Sequence, residues 1–313
     1  AAITTTSTGN DMNTFPEATP GTSNKLTIIA RRIFLAALAL VLVGCSAIRL
    51  AYNQAPSLTY WWIDGYADLN EVQTVQMRRD IDGFFAWHRG NELPGYISRL
   101  QQWQRLAQAD SQTELVCTQF EAVRSAYLRM IDRSLEPMAR LALTLTPTQL
   151  QHLQRKYAKN NQEYEKRYLR VSDEERLDNL MERALDRYET LYGNLTDAQL
   201  TLLRERIRQS PFDAQRVNVE RLRRQSDLLK TLRDLQAEKG ATTASAVLAL
   251  RHWHDRVMQS PIPGFASYSD SLVRNGCEQF AAVHNTTSPE QRAHAVRVLK
   301  DYETDLRALA APH

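Results

Sequence analysis

Few of the side chains that commonly carry chemistry lie close together in this 313-residue chain, which has three cysteines and seven histidines. The densest group is His252, His254 and Asp255, whose imidazole and carboxylate groups are typical zinc ligands. In a helix, however, residues two apart do not face each other, and no third imidazole or thiolate lies nearby in the sequence. We therefore expect packing or surface positions for these residues and for His88, and predict no metal site and no cofactor.

The sequence also lacks the motifs of several common reactions, since it has no glycine-rich phosphate loop, nucleophile elbow or HExxH motif. Carboxylates are frequent but scattered, and Glu163 with Arg167 has the i,i+4 spacing of an ordinary ion pair on a solvated helix face. An envelope hydrolase that uses two carboxylates stays open as an alternative, because such pairs assemble in three dimensions. Our prediction is that the protein has no catalytic residue and is not an enzyme.

Cys45 ends a segment of distinctive composition. Two arginines at 31–32 precede an apolar stretch over 33–43, and Gly44 then precedes Cys45. A basic pair, an apolar core and a small residue are the parts of an export signal, and the stretch is too short to span a bilayer. The alternative is a buried helix that ends by chance in Gly-Cys. We favour export, because the rest of the chain is strongly polar and the segment lies at its N-terminal end. The run Leu42–Cys45 resembles the lipobox of a bacterial lipoprotein signal peptide.

This resemblance implies that the chain is cut before Cys45 and that the cysteine carries acyl chains such as palmitate. Residues 1–44 are then a lipoprotein signal peptide with an N-terminal extension. Ser46 follows the cysteine, and a residue other than aspartate there resembles lipoproteins that double-membraned bacteria sort to the outer membrane. The expected location is therefore the outer membrane, with the body of the protein facing the periplasm.

Acylation of Cys45 leaves two cysteines, Cys117 and Cys277. An even remainder in an oxidising compartment predicts one disulfide, whereas the alternative is two unrelated buried thiols. We favour the disulfide, because export places both residues where disulfides persist.

Composition predicts an all-α fold, an extended multi-helix bundle. Glycine and proline number only 11 each, while Arg, Leu, Gln, Glu and Ala are abundant, which favours helices over strands. The formal net charge of +3 is too small to indicate a nucleic acid or an acidic substrate as a partner.

Helix starts are legible in two repeated motifs. Each has a threonine at the N-cap, a glutamine three residues later that can reach back to it, and a leucine before the cap that fits a hydrophobic staple. Weaker versions occur at Leu69–Gln73 and Ser288–Gln291. The helix-start residues are Leu145, Thr146 and Gln149 in the first motif, and Leu195, Thr196 and Gln199 in the second.

A second similarity suggests two related helical modules. The seven residues from Cys117 resemble the seven from Cys277, and both are preceded by Trp-His and Pro-Gly-aromatic landmarks. The alternative is chance similarity among common helical residues. The predicted division of the mature chain is a lipid-anchored linker and first helix start at 45–60, module 1 at 61–145, connecting helices at 146–200 and module 2 at 201–313.

Two aromatic sets have open interpretations. Trp61 and Trp62 follow the anchor and could lie at a membrane interface. However, Leu58 and Tyr66 extend the apolar pattern at helical spacing, so we expect Tyr60, Trp61, Trp62 and Ile63 to begin the core. Five tyrosines within the charged segment 155–224 could form a binding face, although helix packing is the expectation. These tyrosines are Tyr157, Tyr164, Tyr168, Tyr188 and Tyr192.

Two family resemblances follow. The lipobox, Tyr52-Asn53, Trp61-Trp62 and the long Arg/Gln/Leu-rich helices resemble an uncharacterised family of bacterial lipoproteins with a domain of unknown function. The motifs at 145–149 and 195–199 are similar to the LTxxQ motifs of Spy-type periplasmic chaperones, which are small helical proteins that bind unfolded clients.

These features lead to a hypothesis of a lipid-anchored periplasmic lipoprotein with a non-enzymatic binding or structural role. Its expected partners are the membrane, through the anchor, and either another envelope protein or an unfolded client. The alternatives are a Spy-like chaperone and an uncharacterised envelope hydrolase. No feature of the sequence indicates the oligomeric state.

Overall fold

The computed structural model of the protein describes residues 47–311. The chain divides into two compact units, Ala1–Ala47 and Ile48–His313, and only Ala47 of the first lies among the described residues. Every regular element in 47–311 is helical, so the predicted all-α multi-helix bundle is confirmed. The eleven α-helices in this range are α1 (Ala47–Ala67), α2 (Glu71–Asn91), α3 (Leu93–Leu106), α4 (Thr113–Thr144), α5 (Pro147–Tyr164), α6 (Asp173–Tyr192), α7 (Asp197–Arg208), α8 (Ala214–Ala237), α9 (Thr243–Met258), α10 (Phe265–His284) and α11 (Pro289–Ala310), with a π-helical turn at Glu165–Leu169.

Side-chain caps begin most of these helices. At α5 the Thr146 hydroxyl accepts from the N–H of Gln149, and the Gln149 carboxamide oxygen accepts from the N–H of Thr146. Thr196 and Gln199 form the same reciprocal box at α7. Each box satisfies two backbone donors that a helix N-terminus otherwise leaves unpaired. Leu145 precedes the first cap and packs on neighbouring cores.

Leu195 precedes the second cap and packs on the core that α6 and α7 share. The weaker motifs at Asn70–Gln73 and Ser288–Gln291 also form complete boxes, at the starts of α2 and α11. Four helices of the bundle therefore begin with a glutamine at the third helical position.

The four glutamines form two reciprocal pairs between distant helix starts. Gln149 donates to the carboxamide oxygen of Gln73 at 2.7 Å, and Gln73 donates back at 3.3 Å. Gln199 and Gln291 exchange the same two bonds at 2.8 and 3.0 Å. Each oxygen thus accepts from its own N-cap N–H and from the paired amide.

The second N–H of each of these amides donates to a backbone carbonyl of a neighbouring segment. These carbonyls belong to Thr144, Asp68, Thr286 and Asn194. The carboxamides are therefore fully hydrogen-bonded, which a buried amide requires to avoid a desolvation penalty. The glutamines fix the helix starts to one another and not only to their own N-caps.

Replacing Gln199 with glutamate should destabilise the protein by about 2–4 kcal/mol, because a carboxylate cannot donate the two hydrogen bonds that Gln199 gives to the Gln291 carboxamide oxygen and the Thr286 carbonyl. A purely local box would tolerate the change, since glutamate fills this position equally well. Urea unfolding followed by circular dichroism measures the difference. The matched control is Glu175→Gln at the exposed third position of α6, for which we expect a change below about 0.5 kcal/mol. Equal effects of the two substitutions would contradict a role for the pair.

One core cluster draws residues from segments far apart in the sequence. Leu100 from α3, Tyr192 from α6, Leu203 from α7 and Leu299 from α11 are all buried in it. The most extensive helix–helix contact of the described residues joins α3 to α11. Helices from the predicted modules 61–145 and 201–313 therefore pack together, while the internal similarity of the two modules stays a prediction.

The expectation that the tyrosines of 155–224 pack inside the bundle agrees with the structure. Tyr164, Tyr168, Tyr188 and Tyr192 are buried, and Tyr157 packs partly buried against a second cluster. The π-helical turn follows Tyr164 and contains Tyr168, and the ring centroids of these two tyrosines lie 4.9 Å apart.

The expectation that residues 60–63 begin the core is wrong for Trp61 and Trp62, because these side chains are 70% and 66% exposed. Successive helical residues are rotated by about 100°. Tyr60 and Ile63 occupy the side of α1 that packs against the bundle, and this turns both indoles outward. Leu58, which extended the apolar pattern, is 62% exposed as well. An amphipathic pattern identifies a stripe, but two large residues at its edge can lie on either side.

Candidate functional site

Cys45 and the lipobox Leu42–Cys45 lie outside the described residues. Among residues 47–311, no helix combines the length and apolarity needed to cross a bilayer. The lipidation site therefore stays a prediction from sequence.

The two histidines of the group at 252–255 differ in their exposure to solvent. His252 is exposed, whereas His254 is buried, and its Nε2 lies 3.3 Å from the Tyr127 hydroxyl. Within the described part of the chain, no three His, Cys, Asp or Glu side chains are placed to hold a metal ion. The structure does not bring together the residues that the sequence offered as ligands.

Three buried histidines each lie beside a tyrosine hydroxyl, a feature that spacing did not reveal. The pairs are Tyr52 with His88 at 2.9 Å, Tyr127 with His254 at 3.3 Å, and Tyr192 with His284 at 2.8 Å. Burial lowers the pKa of all three imidazoles, which favours the neutral ring. His284 Nε2 lies 2.8 Å from the carbonyl of Ala109 and must donate to it, so Nδ1 accepts from Tyr192. Both ring nitrogens of His284 are therefore used in hydrogen bonds within the bundle.

Buried carboxylates are held as anions by basic neighbours. Hydrogen bonds from Arg129 hold the pKa of Glu92 below its ordinary value. Burial would raise the pKa of Glu220, but bonds from Arg223, Ser260 and Arg224 bring it down to about 2. A general acid near neutral pH needs the opposite shift.

The predicted disulfide is confirmed. Cys117 in α4 is bonded to Cys277 in α10, with the two Cα atoms 5.5 Å apart. The bond joins residues separated by 160 positions. It also connects the first half of α4, which has no fully buried residue before Ala126, to the buried side of α10. The disulfide therefore fixes a helix segment with no fully buried side chain to a buried residue of α10.

An apolar pocket of about 340 Å³ lies beneath this first half of α4. Its volume is within the roughly 300–1,000 Å³ range of ligand sites. Side chains from α4 form one wall, and α3, α6, α10 and α11 supply the others. The principal apolar residues are Trp103, Leu106, Leu115, Val116, Phe120, Val123, Leu191, Tyr192, Phe280 and Leu299.

Most polar side chains of the pocket already have partners. Trp103 Nε1 donates to the carboxamide oxygen of Gln119 at 3.0 Å. His284 is engaged by Ala109 and Tyr192, as described above. The surface offered to a ligand is therefore almost wholly apolar and suits an uncharged aliphatic or aromatic group.

Apolar side chains continue from the pocket onto the outer surface of α4. Phe120 and Val123 line the pocket and are 44% and 47% exposed, and Tyr127, one turn further, is 38% exposed. Phe120, Val123 and Tyr127 form what we call the α4 strip. The pocket was not predicted from the sequence, in which the apolar spacing of the α4 strip is the available signal. The cavity depends on how far α4 stands from α6 and α10, which periodicity does not specify.

Comparison with known proteins supplies a family but no activity. No curated protein and no solved structure matches the chain. One family model matches residues 65–240, more than half of the sequence, and includes Cys117 and the α4 wall of the pocket. The prediction of an uncharacterised domain family is thereby confirmed: the chain belongs to the family described as "Family of unknown function (DUF6279)".

Proposed function

We propose that the protein is a lipid-anchored periplasmic lipoprotein of the outer membrane, and that its helical body binds an apolar group without catalysing a reaction. The apolar pocket beneath α4 carries the binding part of this proposal. Binding of an apolar group in an open cavity lined by aromatic and aliphatic side chains is favourable, because the group displaces water from apolar surface. The group belongs either to a small apolar molecule or to a side chain of a client protein.

The anchor part of the proposal depends on the sequence around Cys45. A basic pair, an apolar stretch and Gly-Cys stand immediately before the helical body. The Cys117–Cys277 disulfide supports export, because such bonds persist in oxidising compartments.

The absence of catalysis is supported by the state of the buried ionisable groups. Each of the four buried carboxylates among the described residues has a basic partner, and the pocket wall contains no carboxylate. His284, the pocket histidine, uses both ring nitrogens in fixed hydrogen bonds.

A chaperone that binds unfolded clients is the second candidate. The α4 strip favours it, because exposed apolar residues at i, i+3 and i+7 beside a pocket suit an extended apolar segment. A chaperone and a small-ligand binder would use the same pocket but differ in which molecule competes for it.

An apolar fluorophore, N-phenyl-1-naphthylamine, tests the pocket on the purified full protein. We expect saturable binding, and Phe120→Asp at the mouth should weaken it by at least about tenfold by placing a charge where apolar contact is made. Leu248→Asp, at an exposed position of α9, is the matched control and should leave affinity unchanged. Competition by a denatured protein at near-stoichiometric ratio would indicate the chaperone, and competition by small apolar compounds alone the ligand binder. Absence of binding, or equal effects of the two substitutions, would refute the proposed site.

Mass spectrometry of the same preparation tests the anchor. The N-terminal peptide should begin at Cys45 and carry acyl chains, and Cys45→Ala should abolish both cleavage and acylation. An unmodified Cys45 would refute the lipoprotein part of the proposal and leave the pocket result standing.

A further inference from the structure

One half of the α1 surface is exposed and uncharged. Leu50, Leu58, Trp61 and Trp62 are 57%, 62%, 70% and 66% exposed. The other exposed residues between them are Ala51, Asn53, Gln54 and Ser57. No charged residue occurs from position 50 to position 63, whereas the solvent faces of other helices carry many charges. We call this surface the α1 face.

The opposite half of α1 is fixed to the bundle by specific contacts. Near its start, Arg49 forms an ion pair with Asp305 of α11 at 3.2 Å. In the middle, the Tyr52 hydroxyl lies 2.9 Å from His88 Nδ1. Near its end, the guanidinium of Arg78 lies 3.7 Å over the ring of Tyr60. Since these contacts span the helix, the α1 face is presented by a positioned element.

We propose that the α1 face lies in the lipid–water interface of a phospholipid bilayer, with α1 parallel to the membrane plane. This inference rests on the proposed acylation of Cys45. That residue stands five positions before Leu50, so acyl chains inserted in the bilayer hold the start of α1 at the membrane surface. Only residues 46–49 separate the acylated cysteine from Leu50, the first residue of the α1 face.

The chemistry of the face fits an interface. Indole rings favour the headgroup region, and Leu50 and Leu58 can enter the acyl boundary beneath it. The polar residues among them, Asn53, Gln54 and Ser57, are uncharged and can hydrogen-bond to headgroups without the cost of burying a charge. A helix of 21 residues at 1.5 Å each is about 31 Å long, and contact along it would fix the orientation of the bundle.

Tryptophan quenching in reconstituted vesicles tests this orientation. The acylated full protein is reconstituted into vesicles of phosphatidylethanolamine and phosphatidylglycerol, with or without brominated phosphatidylcholine. We expect brominated lipid to quench much of the fluorescence, and Trp61→Gln with Trp62→Gln to remove most of that quenching. The remaining tryptophans, Trp87, Trp103 and Trp253, are partly buried in the bundle.

A second variant keeps both indoles and changes their surroundings. Leu50→Asp with Leu58→Asp places two negative charges in the face, which the anionic headgroups repel, and should also remove most of the quenching. Val219→Asp with Leu248→Asp, at similarly exposed positions of α8 and α9, is the matched control and should retain it. Circular dichroism confirms that each variant is folded.

The outcomes separate this inference from the proposed function. Acylated Cys45 with unquenched Trp61 and Trp62 would overturn the interfacial orientation while the anchor stands. Crosslinking of two chains through the α1 face without quenching would likewise overturn it, because the occupant would be a second copy. An unacylated Cys45 would remove the premise, and both the anchor and the orientation would fail.

Discussion

Replacing both Cys117 and Cys277 with alanine should lower the free energy of unfolding by about 5 kcal/mol. The bond closes a loop of 160 positions, and the chain-entropy model assigns about this value to such a loop in the unfolded state. Urea unfolding of the double variant, and of the wild type under reduction, measures the change. Reduction and substitution should agree, because both release the same constraint.

The loss should be uneven across the molecule. The segment of α4 before Ala126 has no fully buried residue, and beside the disulfide an exposed ion pair between Glu114 and Arg274 joins it to α10. We therefore expect hydrogen exchange to rise most in this segment and binding of the naphthylamine probe to weaken with it. Arg274→Ala is the control, because it breaks an exposed α10–α4 ion pair with Glu114 and should cost at most about 1 kcal/mol. Uniform exchange throughout α4 would contradict a local role for the bond.

Local signals in the sequence were sufficient to predict the helix starts, and the number of cysteines was sufficient to predict the disulfide. The capping motifs predict where helices begin, because their hydrogen bonds join residues three positions apart. The cysteine pair was identifiable because few alternatives remained once Cys45 was set aside. These inferences need composition and short spacing, and neither depends on how the helices are arranged.

Local spacing does not predict the pairing of glutamines between distant helix starts. A capping box accepts glutamate as readily as glutamine, yet all four motifs have glutamine. Unlike an ionised glutamate, a carboxamide can both accept from and donate to an identical partner, as Gln73 does with Gln149 and Gln199 does with Gln291. That uniform choice was a usable signal of long-range pairing, although the sequence does not say which two motifs meet.

The pocket and the α1 face depend on packing that periodicity does not encode. Phe120 and Val123 have the spacing of core residues, but α4 stands away from the cluster below and leaves a cavity. Trp61 and Trp62 likewise lie at the edge of an apolar stripe, and the fit of Tyr60 against α2 decides their exposure. The apolar pattern predicts which positions of a helix form its apolar stripe, and the tertiary arrangement decides which of these side chains stay accessible to solvent.

Replacing Glu303 with glutamine should destabilise the protein by about 3–5 kcal/mol. This side chain is 1% exposed at the contact between α3 and α11, and each of its oxygens accepts two hydrogen bonds. A carboxamide exposes a donor to Gln101 or Gln104, which are themselves donors, and removes the anion that Lys300 and Arg307 contact. Glu182→Gln, which weakens an exposed pair with Arg167, is the control and should cost less than about 1 kcal/mol.

The pH dependence of the stability difference between the wild type and Glu303→Gln shows whether that difference comes from the buried anion. Hydrogen bonds from Gln104 and Lys300 lower the pKa of Glu303 to about 2, against an ordinary value of 4.5. A depressed carboxyl pKa contributes stability that is fully present above the unfolded pKa and is lost as pH falls toward the folded value. The gap between wild type and Glu303→Gln should therefore be constant above pH 5 and shrink between about pH 4.5 and 2. Glu220 titrates in both proteins and cancels in the comparison. A gap that does not change with pH would assign the loss to packing and not to the buried anion.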